Sequence, residues 1–175
     1  MDIIGIVGLP GSGKTEISNY ARERGIPVIS MGDVIREECL KRGLEPADHH
    51  GEVAKKIRDE LGNDAIATLT VPLIQKMRKT KNRMVVDGIR SGDEVKVFRR
   101  EFGEEFKLVR VESSFKLRLE RINSRGRDNP EIETLKQRDE KELGFGLKNA
   151  MGDADIGIEN SGTIEELHLQ ISKII

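Results

Sequence analysis

Ile3-Ile4-Gly5-Ile6-Val7 runs directly into Gly8-Leu9-Pro10-Gly11-Ser12-Gly13-Lys14-Thr15, and the junction of these two stretches decides the fold. The first is short, apolar and β-branched with no helical period, the pattern of a strand buried on both faces. The second fits G-x-x-x-x-G-K-[ST]. Its glycines let backbone N–H groups converge on phosphate oxygens with no Cβ in the way. The helix expected next, Lys14 to Arg24 closed by Gly25, adds positive potential at its N-terminus. Lys14 has the reach for β- and γ-phosphates, and the Thr15 hydroxyl can ligate Mg²⁺. A strand ahead and a helix behind separate a true phosphate loop from a glycine-rich turn. Gly8, Leu9, Pro10, Gly11, Ser12, Gly13, Lys14 and Thr15 are therefore the candidate nucleotide-binding residues, with Lys14 also a catalytic candidate.

Outward from this junction, strands alternate with helices. Val28-Ile29 reads as a second strand, and Asp33 can cap a helix running to about Arg42. Gly51 to Arg78 is helical in pattern, with a break near Gly62-Asn63 and a kink or division expected at Pro72. His49-His50 falls in a polar loop before that helix; two adjacent histidines diverge and make a poor metal pair. Met84-Val85-Val86 is a third strand. Ser91-Gly92-Asp93-Glu94 is a capping box, after which Val95, Phe98 and Phe102 recur at helical spacing. Leu108 to Val111 is a fourth strand, Ser114 to Ser124 and Glu131 to Leu143 are helices, and Ile156-Gly157-Ile158 is a fifth strand. Thr163 and Glu166 form a second capping box before the last helix. This order implies one domain over 1–175, a three-layer α/β P-loop NTPase fold. Its mostly parallel five-stranded sheet should carry helices on both faces and bind ligand at the strand C-terminal ends. The stretch 33–80 exceeds what a crossover needs and is expected to project as a helical acceptor-binding insertion; 118–138 is a short arginine-rich lid.

Composition removes several function classes. In 175 residues, 30 basic and 31 acidic side chains leave a net charge of −1, unlike a polyanion-coating protein, where one sign dominates. Aromatics are 3% with no Trp, so base-stacking platforms are scarce and nucleic acid is a poor partner. The single cysteine, Cys39, excludes an internal disulfide and a four-Cys zinc site, and it has no evident activating neighbour. No stretch approaches 18 apolar residues, and the short N-terminal run with Asp2 is unlike a signal peptide, so the cytoplasm is the expected location.

Asp87 ends an apolar strand, where a Mg²⁺-associated carboxylate belongs in P-loop NTPases; a turn-forming Asp before Gly88 is the plainer alternative. No Asn-Lys-x-Asp stretch reads guanine, so the expected donor is ATP with Mg²⁺. Arg90 lies just beyond a strand C-terminus at a helix start, where helix-dipole logic gives a cation no reason to be. Arg118, Arg121, Arg125 and Arg127 are the one local basic concentration, with Arg121 and Arg125 sharing a helix face. They read either as a solvated face or as cations that act on transferring phosphate.

These residues, taken with Ser30-Met31-Gly32-Asp33-Val34-Ile35-Arg36 and Asp87-Gly88-Ile89-Arg90, resemble the nucleoside monophosphate kinases. The ending Ala154 to Gly162 is similar to dephospho-coenzyme A kinases, which adds Asn160 to the nucleotide-binding candidates. The whole pattern most resembles an archaeal adenylate-kinase-related, dephospho-coenzyme-A-kinase-like family. The resemblance implies that Arg36 and Arg90 hold the acceptor's phosphate and that Asp33 touches substrate or serves as general base. It also implies that Arg121, Arg125 and Arg138 are catalytic lid arginines. The function expected is phosphoryl transfer from Mg-ATP to a small nucleotide-type acceptor: AMP, another nucleoside monophosphate or dephospho-coenzyme A. A nucleotide-dependent binding or assembly protein with little turnover is the alternative. The segment Pro46 to Gly51 departs from adenylate kinases, and the lid is too short for their zinc-binding form.

Overall fold

The computed structural model describes residues 2–124 and 132–175. Five strands, β1 (Asp2–Val7), β2 (Val28–Ser30), β3 (Arg83–Asp87), β4 (Phe106–Glu112) and β5 (Ile156–Glu159), form one sheet in the order β2-β3-β1-β4-β5. Every pairing is parallel, with Ile4 opposite Val85 on one side and Lys107 on the other. The nine helices among the described residues are α1 (Lys14–Glu23), α2 (Met31–Lys41), α3 (Pro46–Leu61), α4 (Ala65–Met77), α5 (Gly92–Phe102), α6 (Phe115–Ser124), α7 (Ile132–Gly144), α8 (Leu147–Gly152) and α9 (Ile164–Ile171).

Strand side chains alternate between two cores, because successive Cβ atoms point to opposite faces. Ile3, Val7, Met84, Val86 and Leu108 pack on one face with Ile35, Ile57, Ile74, Phe98 and Leu147 from α2, α3, α4, α5 and α8. Ile4, Ile6, Val85, Val109 and Val111 pack on the other with Ile17 of α1 and Leu167 and Ile171 of α9. The α2–α4 helices thus share the sheet's own core instead of projecting from it. Among the described residues no helix is long and apolar enough to cross a membrane.

Three local expectations are corrected. The α2 helix begins at Met31 after Ser30, so Asp33 lies inside its first turn and is not its cap. The α3 helix begins at Pro46, which fits a first helical turn because its missing N–H would have no partner there; His49 and His50 are therefore helical. The α4 helix is not divided at Pro72 and continues to Met77. One lost backbone bond is outweighed there by a face of Ile66, Ala67, Val71 and Ile74 buried in the core. Between Gly146 and Asp153 the chain makes the short helix α8, which six residues of mixed polarity do not announce. The Thr163–Glu166 capping box forms in full. At α5 the Ser91 side chain accepts from the Glu94 N–H, while the Glu94 carboxylate reaches the Arg90 N–H at 2.7 Å.

Candidate active site at the strand C-terminal ends

The loop between β1 and α1 turns at Gly13, which has φ +113°, a region L side chains avoid. A Cβ there would stand 2.3 Å from Asn160 Nδ2. Asn160, just past β5, donates from that nitrogen to Ser12 O at 2.8 Å, so the end of the sheet clamps the loop's backbone. The Lys14 ammonium donates to Gly8 O at 2.6 Å and Leu9 O at 3.1 Å, which holds it across the mouth of the loop. Burial pushes Lys14 down from 10.5 to about 8, against Asp87 and Glu142, which push it up; Arg90 and Arg118 add to the lowering. Ser12 Oγ is buried in the loop with no hydrogen-bond partner. A lysine at the start of a helix and an unpaired hydroxyl suit an anionic phosphate chain.

Asp87, the last residue of β3, accepts from Ser18 Oγ at 3.2 Å. With Lys14 it lines a cavity of about 260 Å³ whose wall also includes Arg36, His50, Arg90 and Glu142. The Thr15 hydroxyl and the Asp87 carboxylate are hard oxygen donors that suit Mg²⁺. Gly88, at φ +100°, turns the chain so that Arg90 faces this cavity. Arg36 enters from α2, so residues from three separate elements meet at one point. His50 Nε2 lies 3.3 Å from Gly32 O; because a carbonyl only accepts, that nitrogen carries the proton. A second cavity of about 370 Å³ adjoins the first at His50 and Arg90, walled by Ile35, Ala54, Arg58 and Phe145.

Not every expected residue is in that wall. Asp33 is paired with Arg36 and two-thirds exposed, and it does not line the cavity beside Lys14. Arg121 donates to Ser113 Oγ at 2.9 Å and to Asn160 O at 2.9 Å. It lines a separate cavity with Gly13, Glu16 and Gly162 and does not line the cavity beside Lys14. Arg138 is exposed on α7 and does not line the cavity beside Lys14. Arg125 and Arg127 lie outside the described residues. Cys39 is fully buried in the core.

Two residues that the motifs do not mark are prominent here. Arg118 is buried; its guanidinium makes two parallel bonds to Asp139, at 2.8 and 2.6 Å, and a third to Pro10 O at 3.1 Å. It therefore ties the phosphate loop to α7. Glu142, one turn further along α7, accepts from Arg90 Nη1 at 2.7 Å. Glu94 is buried behind this pair, its carboxyl pushed up by burial and restrained by the Arg90 N–H and by Arg58.

Comparison with known proteins agrees with this geometry. The AAA domain family is matched over residues 7–136. A UPF0200 protein of Halobacterium salinarum is 46% identical over 169 residues, covering 96% of this chain and 89% of that protein. A UPF0200 protein of Pyrococcus horikoshii is 46% identical over 178 residues, covering 99% and 95%. A shikimate kinase from Acinetobacter baumannii, solved with shikimate, superposes with a TM-score of 0.58 at 19% identity, covering 99% of this chain and 92% of its own. A gluconokinase from Sinorhizobium meliloti superposes with a TM-score of 0.59 at 16% identity, covering 97% and 89%. At such identities these structures share the fold, a P-loop kinase-like one. The match along nearly the whole chain makes this protein a member of the UPF0200 family, built on a P-loop AAA domain.

Proposed function

We propose that the chain binds Mg-ATP on the Gly8–Thr15 loop and transfers its γ-phosphoryl group to a nucleotide-type acceptor. AMP is the first candidate, followed by another nucleoside monophosphate and dephospho-coenzyme A. One observation carries this reading: Arg36 and Arg90, from separate elements, line the same cavity as Lys14 and Asp87. Two guanidiniums facing the phosphate loop are what a second, anionic ligand would require.

Lys14 and the loop amides hold the donor's phosphates, while Arg36 and Arg90 hold the acceptor's phosphate by charge-assisted bonds. Thr15 and Asp87 are the residues that would hold Mg²⁺, which would offset charge on the donor phosphates. An acceptor phosphate oxygen attacks the γ-phosphorus, the bond to the β-bridging oxygen breaks, and ADP leaves with that electron pair. A phosphate acceptor is already an anion and needs no base. A hydroxyl acceptor such as dephospho-coenzyme A must lose a proton to a base, and Asp33, the carboxylate the resemblance offers, is paired with Arg36 and does not line the cavity, which favours the phosphate acceptors. Catalysis then rests on positioning and on cations facing the equatorial oxygens.

Calorimetric titration with AMP, without ATP, tests the second site. The expected result is binding to the wild type, weakened about tenfold by Arg90→Lys, which keeps the charge but loses the two-pronged fork. Failure of AMP, other mononucleotides and dephospho-coenzyme A to bind the wild type would leave a one-site nucleotide-binding protein.

A further inference from the structure

Arg90 is not idle in the absence of an acceptor. Glu142 of α7 holds its Nη1 at 2.7 Å, with the carboxylate's side chain 20% exposed and the arginine's 44%. Both residues line the cavity that also holds Lys14, and Glu142 is close enough to Lys14 to raise its proton affinity. A carboxylate is the wrong sign for a cavity meant to receive phosphate from both sides. It sits where an incoming anion would be placed: on the guanidinium, facing the phosphate loop.

We infer that Glu142 is a specificity-determining residue of the acceptor site, an internal competitor for Arg90 that an acceptor's phosphate must displace. The inference rests on the reading of Arg90 as the acceptor's phosphate holder. A neutral polyol cannot replace a charge-assisted bond with a bond of equal strength, and a monocarboxylate only exchanges one carboxylate for another. A dianionic phosphate brings twice the charge and more acceptor oxygens, so it alone gains from the exchange. Without a ligand the Glu142 carboxylate keeps Arg90 paired, and it raises the threshold that an acceptor must pass.

The consequence reaches the donor site through one helix. Asp139 lies three residues before Glu142 on α7, so the two share a face. Asp139 holds the buried Arg118, which holds Pro10 O of the phosphate loop. The α7 helix therefore has two polar anchors, one on each substrate's site. Acceptor arrival releases the anchor at Arg90 and leaves the anchor at the phosphate loop in place.

The sign of the expected effect separates this role from its competitors. Glu142→Gln keeps the side chain's shape and one hydrogen bond to Arg90 but removes the charge. We expect it to bind AMP about tenfold more tightly than the wild type at low ionic strength, with the gap shrinking as salt is added. The measurement is calorimetric titration of the full chain with AMP and, separately, with inorganic phosphate, on wild type, Glu142→Gln and Arg90→Lys, each first checked by thermal melting. If Arg90→Lys weakens AMP binding while Glu142→Gln leaves it unchanged or weaker, the competitor role is overturned and the acceptor reading stands. Loss of turnover in Glu142→Gln without tighter binding would make Glu142 a base for a hydroxyl acceptor instead. If neither these probes nor other mononucleotides nor dephospho-coenzyme A bind any of the three proteins, both readings fall.

Discussion

Arg118→Met is the sharpest probe of how the phosphate loop is held. The Arg118 side chain is 5% exposed and that of Asp139 13%, so removing the guanidinium leaves a carboxylate in a nearly dry site and strips a partner from Pro10 O. Breaking a buried pair from one side costs about 3–5 kcal/mol, because the remaining charge loses its compensation while its desolvation persists. For a chain of 175 residues, at about 2–4 °C per kcal/mol, the melting temperature should fall by about 6–20 °C. Replacing both partners, as Arg118→Met with Asp139→Leu, removes the orphaned charge and should restore most of that loss. The functional effect should not be restored, since neither methionine nor leucine can donate to the Pro10 carbonyl. The double variant is therefore expected to melt near wild type and still bind ATP several-fold more weakly. Thermal melting and ATP titration on the three proteins decide the matter. A single variant that melts within about 2 °C of wild type would refute the burial argument. A stable double variant with wild-type ATP affinity would show that Arg118 supports the fold and not the loop.

Two further outcomes follow from the donor site. Lys14, lowered to about 8 by burial, is about half deprotonated at pH 8 in the free protein, and ATP phosphates favour the ammonium. ATP binding should therefore take up about half a proton at pH 8 and almost none at pH 6.5, and affinity should fall as pH rises through 8. Calorimetry in buffers of different ionisation enthalpy reads this directly, and zero uptake at pH 8 would contradict the buried lysine. Arg121→Ala should raise the KM for ATP more than it lowers kcat, because Arg121 holds Asn160, which clamps Ser12; a drop confined to kcat would return it to the transfer step.

Much of this architecture is legible without coordinates, and the reason is that its signals are local. The β-branched runs at Ile3–Val7 and Met84–Val86 and the spaced glycines before Lys14 each carry their meaning within about ten residues. The Thr163–Glu166 box does the same over four. What the sequence conceals is pairing across distance. Arg118 and Asp139 are 21 residues apart, and Arg90 and Glu142 are 52 apart; nothing near either arginine distinguishes a tied cation from a solvated one. Arg118 sat inside a basic cluster that read as a surface face or a lid, and only its burial separates it from Arg121 beside it. Asp33 misleads in the opposite way. An Asp before a helix-like run reads as a cap, but the helix had already begun two residues earlier, which left the carboxylate to pair with Arg36 one turn on.

The charge arrangement at the site has its own logic, given a chain that is nearly neutral overall. Arg36 is paired with Asp33, Arg90 with Glu142, and Lys14 feels Asp87. The three cations that face the transfer cavity are thus each matched by a carboxylate before any substrate arrives. Such a site presents little net field to a passing anion, so electrostatic steering from a distance is weak. On the proposed reading it would select at contact, where an incoming phosphate must outcompete a carboxylate for the same guanidinium. An uncompensated cluster of Lys14, Arg36 and Arg90 would bind any polyanion and would destabilise the folded loop by mutual repulsion. The paired cluster gives up affinity for a fold that stands without ligand and a cavity that answers to geometry.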